Sequence, residues 1–236
     1  MQQGPKLTIG IMQPYFMPYI GYWQLMKAVD KYVVYDDVNY IKGGWVARNN
    51  ILMNGEKKMF VVKLNGASSN KQFKEITIAD NFLALQKTLQ HTYHKASYYV
   101  QTMDLLTRIV NYNDKILSNF IMNSFREVLT YLDIHTELIL SSTIAKDNTL
   151  RGQDKVLAIC KELGAVRYLN AIGGQELYSK KIFAQHGVEL YFVETLIMPY
   201  NQLAKGEFVP NLSLIDVLMN NSPEDINRML DNYKLI

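Results

Sequence analysis

The chain has 236 residues, long enough to bury a sizeable core as one large domain or as a domain with an appended lobe. Hydrophobic residues make up 48% and charged residues 20%, a globular balance that excludes a disordered chain. Net charge is +3 with no concentrated run of Lys or Arg, which argues against a nucleic-acid partner, and no stretch approaches the roughly 18 apolar residues of a membrane span.

Residues 6–13 (KLTIGIMQ) alternate, with Leu7, Ile9 and Ile11 on one side, the period-2 pattern of a strand. Pro14 and Pro18 end that strand and impose an extended loop, because proline lacks an N–H and restrains the residue before it. Tyr22, Leu25, Met26 and Val29 then fall at helical spacing on one face. Tyr32-Val33-Val34-Tyr35 is a short apolar run closed by Asp36-Asp37, a buried strand. Strand, helix and strand within roughly 30 residues has the size of a βαβ unit with a parallel pair.

Gly43-Gly44 opens an irregular stretch, and Asn54-Gly55 is a turn signal between residues 49–53 and 57–64, which predicts a β-hairpin. Residues 67–71 form a polar loop. Residues 80–132 carry two helical stripes, one of Phe82, Leu85, Leu89, Tyr93 and Ala96, the other of Leu117, Ile121, Phe125, Val128 and Leu132. The last third returns to α/β. Residues 136–140, 166–170 and 188–193 read as strands, and Val156, Cys160 and Leu163 mark a helix closed by Gly164. Residues 176–185 read as a further helix, and Ser213 and Ser222 each open one more. The division expected is an α/β core over 1–79 and 133–221, a helical insertion or lobe over 80–132, and a C-terminal helix over 222–236.

Cys160 has no cysteine to pair with and falls on an apolar helix face, so packing in a reducing compartment is expected rather than nucleophilic attack. Residues 1–6 lack a charged segment followed by an apolar run, so no signal peptide is expected and the cytoplasm is the default.

In parallel α/β sheets, ligands bind outside the carboxyl ends of the strands. That rule collects Gln13 and Pro14 after the first strand, Asp36 and Asp37 after the second, and Asn170 after a later one. The loop Gln13-Pro14-Tyr15-Phe16-Met17-Pro18-Tyr19-Ile20-Gly21-Tyr22-Trp23 is the most unusual stretch of a chain with sixteen tyrosines and two tryptophans. Tyr15, Tyr19, Tyr22 and the Gln13 amide match the apolar face and hydroxyls of a sugar; the alternative is a tyrosine-packed loop that only covers the sheet edge.

Asp36 and Asp37 point opposite ways if extended, so one of them can face the crevice as base, metal ligand or hydroxyl acceptor, or both can serve a strand-end turn. Trp45 and Arg48 bring a large ring and a guanidinium beside the same loop, and Arg48 suits a phosphate or a surface ion pair. His91-x-x-His94 has the spacing to share a metal but no third ligand, so no metal site is expected; His91 alone suits a general base. Gly173-Gly174 can cradle a phosphate but lacks the fuller spacing of phosphate-binding loops, and Ser213-x-x-Asp216 reads first as a capping box.

The stretches QPYFMPYIGYW, YDDVNY, WVARNNI, RYLNAIGGQELY and FVPNLSLIDVLMNN resemble the WbqC-like family, found among genes for O-antigen and other bacterial surface polysaccharides. That resemblance implies a glycyl or other aminoacyl transfer onto an amino sugar, with Gln13, Pro14, Pro18, Gly21, Asp36, Asp37, Arg48 and Asp216 as candidate site positions. The order of elements is also similar to HxGH nucleotidylyltransferases, which implies a Rossmann-like parallel sheet core. Here Tyr19-Ile20-Gly21-Tyr22 stands in the place of that motif without either histidine.

The expectation is thus an α/β protein with a helical insertion, a transferase placing an acyl or aminoacyl group on the amine of a nucleotide-linked sugar. Tyr15, Tyr19, Trp45 and Gln13 would wall the sugar, Arg48 would meet the diphosphate, and Asp37 or His91 would take the proton. The cofactor is unknown; the acyl donor would arrive on coenzyme A or an acyl carrier protein. An ATP-dependent nucleotidyltransferase or ligase, or a non-catalytic sugar-binding protein, are the alternatives.

Overall fold

The computed structural model describes residues 6–203 and 206–236; residues 1–5, where a leader signal was sought, lie outside the described part. The first strand, β1 (Thr8–Met12), is buried on both faces through Ile9, Gly10 and Ile11, as a central strand must be. The loop after it leads into α1 (Ile20–Lys27) and then β2 (Lys31–Val34), which pairs parallel to β1. The predicted βαβ unit is present. A hairpin follows, β3 (Arg48–Met53) and β4 (Glu56–Val61). Its two-residue turn has positive φ at both Asn54 (54°) and Gly55 (82°), the conformation that an Asn-Gly pair favours. A short pair, β5 (Leu64–Asn65) and β6 (Thr77–Ile78), closes this segment.

Three helices occupy the next block, α2 (Leu83–Tyr93), α3 (Tyr99–Val110) and α4 (Leu117–Tyr131). The chain then returns through β7 (Glu137–Leu140), α5 (Gly152–Leu163), β8 (Arg167–Ala171), α6 (Lys180–Gln185) and β9 (Glu189–Thr195). Gly164 ends α5 with φ of 68°, the left-handed cap read from sequence. Helices α7 (Leu214–Asn220) and α8 (Pro223–Leu230) start where the Ser213 and Ser222 hydroxyls accept backbone N–H groups. The tail does not stay helical to its end. Residues Tyr233–Leu235 form β10, which pairs antiparallel with β9 and covers that sheet edge. Three residues are too short for period-2 alternation to register, and only the waiting edge of β9 makes them a strand.

The main sheet has six strands in the order β10-β9-β8-β1-β2-β7, all parallel except β10. From β1 the chain steps outward to β2 and β7, then returns to β8 on the other side of β1 and goes on to β9. The direction of winding therefore reverses between β1 and β8, where the outgoing loops diverge and leave a crevice.

Both faces of the sheet are covered. Ile9, Ile11, Val33, Tyr168 and Phe192 pack with Val156, Cys160 and Phe183 of α5 and α6. Tyr32, Val34, Leu169 and Val193 pack on the opposite face with α1, α4, α7 and α8. Gly10 points to the α1 side, where a Cβ would meet Tyr32, Leu25 and Val29 at 3.3–3.5 Å, so its lack of a side chain lets α1 lie close. Block 80–132 shares this second core: Phe120 and Phe125 of α4 join Phe16, Tyr22 and Trp23 in one aromatic cluster.

Candidate active site

A cleft of about 570 Å³ opens at the carboxyl ends of β1, β8 and β9. Tyr15, Pro18 and Tyr19 reach it from the loop after β1, and Ile172 from the 3-10 turn after β8. Glu194 and Thr195 come from the last residues of β9, Ile197 from just beyond. Trp45, Asn49, Asn50 and Asn211 complete the lining. Its chemistry is aromatic and amide, with one carboxylate.

The loop that supplies Tyr15 and Tyr19 is held by bonds to its backbone. Phe16 N–H donates to the Val46 carbonyl (2.8 Å), the Tyr22 hydroxyl to the Gln13 carbonyl (2.7 Å), and the Trp23 indole to the Pro18 carbonyl (3.2 Å). Met17 is fully buried at φ of 47°, a conformation that costs a β-carbon residue about 1–3 kcal/mol. The Asn49 amide (2.8 Å) and the Ser213 hydroxyl (2.7 Å) both donate to its carbonyl and hold it there. Phe16 and Tyr22 are thereby turned inward, while Tyr15 and Tyr19 stay half-buried at the cleft.

Burial raises the phenol pKa of Tyr15, with Tyr19 adding to it, and burial raises that of Tyr19. Both therefore remain hydrogen-bond donors across the physiological range. Gly21 is required by close approach: a Cβ there would collide with Thr195 Oγ1 and come 2.5 Å from the Tyr19 ring. The groups that crowd it are two cleft walls.

The other sequence-derived candidates fall elsewhere. Tyr22 is in the aromatic core, Pro14 is buried, and Gln13 contributes its carbonyl to Tyr22. Asp36 is buried and accepts from Ser142 N–H (2.8 Å) and Ser142 Oγ (2.6 Å). Asp37 Oδ2 is clamped between Lys146 Nζ (2.9 Å) and Lys155 Nζ (3.1 Å), all three side chains at most 4% exposed. Burial pushes the Asp37 carboxyl upward, but Lys146, Ser141 and Lys155 outweigh it and leave its pKa lowered. Asp37 lines a separate polar cavity with Arg151 and Lys155.

Asn170 uses its carbonyl oxygen to accept from Ala171 N–H (2.7 Å), and its amide occupies the space a Cβ on Gly174 would need, 2.6 Å away. Arg48 donates to the Gly43 carbonyl and lies over the Trp45 ring, 5.3 Å from its centroid, so it braces one cleft wall from behind. His91 is exposed on α2 and borders a third cavity, of about 140 Å³, shared with Asp216. Asp216 is no capping carboxylate. It accepts from the Tyr93 (2.5 Å) and Tyr200 (2.7 Å) hydroxyls, and burial raises its pKa against their opposing pull.

The loop tyrosines and Trp45 thus share one cleft, whereas Asp37 and His91 stand at two others. Glu194, Thr195, Asn50, Asn211 and Ile172 were not collected from sequence. For Glu194 and Thr195 a signal existed: they end a parallel strand, and the carboxyl-end rule reaches them once β9 is extended past Val193. Asn211, at φ of 59° in a loop, left no such signal.

Among the described residues no helix is long and apolar enough to cross a membrane. No solved structure matches the chain. The uncharacterized protein Rv1507c of Mycobacterium tuberculosis (strain ATCC 25618 / H37Rv) is 24% identical over 222 residues, covering 90% of this chain and 93% of that protein. The profile of the WbqC-like protein family matches residues 13–228, from the first proline-bound loop into α8, and the chain belongs to that family.

Proposed function

We propose that the cleft binds the sugar of a nucleotide-linked amino sugar and that the protein transfers an acyl or aminoacyl group to the sugar's amine. The observation that carries this reading is the cleft's composition at the point where the sheet's winding reverses. Three aromatic walls (Tyr15, Tyr19, Trp45), two amides (Asn50, Asn211) and a single carboxylate (Glu194) face one space. Aromatic rings cover the apolar face of a pyranose, and amides and phenols exchange hydrogen bonds with its hydroxyls. A cleft of about 570 Å³ suits a ligand of sugar size or somewhat larger.

In this scheme the amine attacks the carbonyl carbon of an activated donor, the amide bond forms, and the donor's leaving group departs. Glu194 takes the proton that the amine sheds. The donor comes on coenzyme A or a carrier protein, in a cytoplasmic setting and in surface polysaccharide assembly. The sheet order, wound both ways from β1, supports a Rossmann-like core. An ATP-using nucleotidyltransferase draws less support, because Tyr19-Ile20-Gly21-Tyr22 stands where the HxGH enzymes carry the two histidines that meet the nucleotide phosphates.

Titration calorimetry with a panel of UDP-linked amino sugars tests the binding half. Tyr15→Ala and Trp45→Ala should each weaken binding about tenfold or more, and Glu194→Gln should keep binding while transfer falls about 10²–10⁴-fold. No heat from any member of the panel, or full turnover by Glu194→Gln, contradicts the reading.

A further inference from the structure

The aromatic cleft has an aliphatic wall as well, made of Pro18, Ile172 and Ile197. Topology sets the two isoleucines around Glu194. Strands β8 and β9 pair in parallel with Ala171 beside Val193, so Ile172 and Glu194, the next residue on each, stand about one strand spacing apart, roughly 5 Å. Ile197 follows Glu194 by three residues on the segment leaving β9, which keeps it within about 10 Å. It is 46% exposed, so a ligand can still cover it. Beyond Ile197 the apolar surface continues. A narrow crevice of about 20 Å³ shares Ile197 and Asn211 with the cleft and is bounded further by Leu196, Met198, Phe208 and Met229.

Charge separates two kinds of acyl group here. Glu194 is the one carboxylate of the lining, and the proposed transfer assigns it the proton that the sugar's amine sheds. An aminoacyl group carries an ammonium one carbon from its carbonyl, and a cation brought into an apolar cleft needs a partner. A single carboxylate cannot hold that cation and take the proton at once. A neutral alkyl chain needs no partner. It gains by covering Ile172 and Ile197, roughly fourfold in affinity for each methylene buried.

We propose that the group transferred in this cleft is an uncharged alkyl acyl group, its chain lying along Ile172 and Ile197 toward the crevice, and not an aminoacyl group. This rests on the reading of the cleft as an acyl-transfer site. The amine nitrogen bonds to the acyl carbonyl carbon, the carbon–sulfur bond of the thioester donor breaks, and the sulfur leaves as a thiol with the proton that Glu194 took from the amine.

Titration calorimetry of the full chain with UDP-N-acetylglucosamine and its N-hexanoyl and N-glycyl counterparts, analogues of the product, tests it. The N-hexanoyl compound should bind about tenfold or more tightly than either of the others. Ile197→Ser, at an exposed position, and Ile172→Ser should each cut that gain about threefold or more. Equal affinity for the acetyl and hexanoyl compounds, a gain that survives both substitutions, or tightest binding of the glycyl compound with its advantage lost in Glu194→Gln overturns the inference while sugar binding stands. No heat from any of the three overturns it together with the reading of the cleft.

Discussion

Two cavities lie along one edge of the same sheet, and their chemistry is opposite. At the ends of β1, β8 and β9 the lining is aromatic and amide, and its one carboxylate, Glu194, takes part in no ion pair among the described residues. At the end of β2 the carboxylate is held by two buried lysines that come from the β7–α5 connection and from α5 itself. A carboxylate clamped in this way has its charge committed to holding the fold and orienting neighbours, whereas one left unclamped in a cleft is the one to which the proposed function gives the role of base. The carboxyl-end rule finds both places but not this difference, because pairing partners arrive from distant parts of the chain.

Breaking the clamp gives the largest expected effect. Asp37→Ala leaves two buried lysines without their carboxylate, and the double change Lys146→Met with Lys155→Met leaves Asp37 without a cation; each costs about 3–5 kcal/mol and lowers the melting temperature on the order of 10 °C. Glu194→Gln should change stability by no more than about 0.5 kcal/mol, within the range of surface changes. Equal melting temperatures for the two sets, measured by calorimetry, would erase the distinction drawn between the cavities.

Acid sharpens the same contrast. The folded pKa of Asp37 is lowered, so below its unfolded value the unfolded chain binds a proton that the folded chain does not. Its contribution to stability is therefore full above roughly pH 4 and is lost as pH falls further, toward the folded value. Urea denaturation of wild type and Asp37→Asn should converge as the pH is taken down through the carboxylate range. A gap that stays constant would show that the ion pair contributes nothing.

Gly21→Ala bears on the cleft alone. Its Cβ would force apart the Tyr19 ring and Thr195, an overpacking cost of about 1–3 kcal/mol, and should weaken cleft ligands, as titration calorimetry would read. The smallest effect is that of Arg48→Ala. Removing the cation behind Trp45 should cost about 0.5–1 kcal/mol and loosen the ring, seen as a red shift in tryptophan emission. Trp23, fully buried in the core, contributes an unchanged background to that signal.

Much of the fold was legible because it is written locally. Leu7, Ile9 and Ile11 alternate, Asn54-Gly55 demands one turn, Gly164 stops one helix, and Ser213 and Ser222 start two more. The helix expected over 176–185 shortens to Lys180–Gln185 because Ser179 caps it late, its Oγ accepting from Ile182 N–H (3.4 Å), after a 3-10 turn at Ile172–Gly174. Within the candidate site, Tyr15, Tyr19 and Trp45 could be read from the proline-bound loop and its neighbour. The partition of that loop could not. Phe16 and Tyr22 turn inward because Phe60, Phe82, Phe120 and Phe125 wait for them, and these rings come from the hairpin and from block 80–132.

The sequence by itself determined the alternation of strands and helices, the hairpin, the helix boundaries set by caps, and the placing of a proline-bound aromatic loop after β1. Those features depend on neighbours a few residues apart, whose geometry the backbone dictates. Tertiary structure alone decided that β8 returns beside β1 to open the crevice, that Glu194 ends in it, and that Asp37 meets a lysine 118 positions away. A charge or a ring acquires its role from what surrounds it after folding, and those surroundings are assembled across the whole chain.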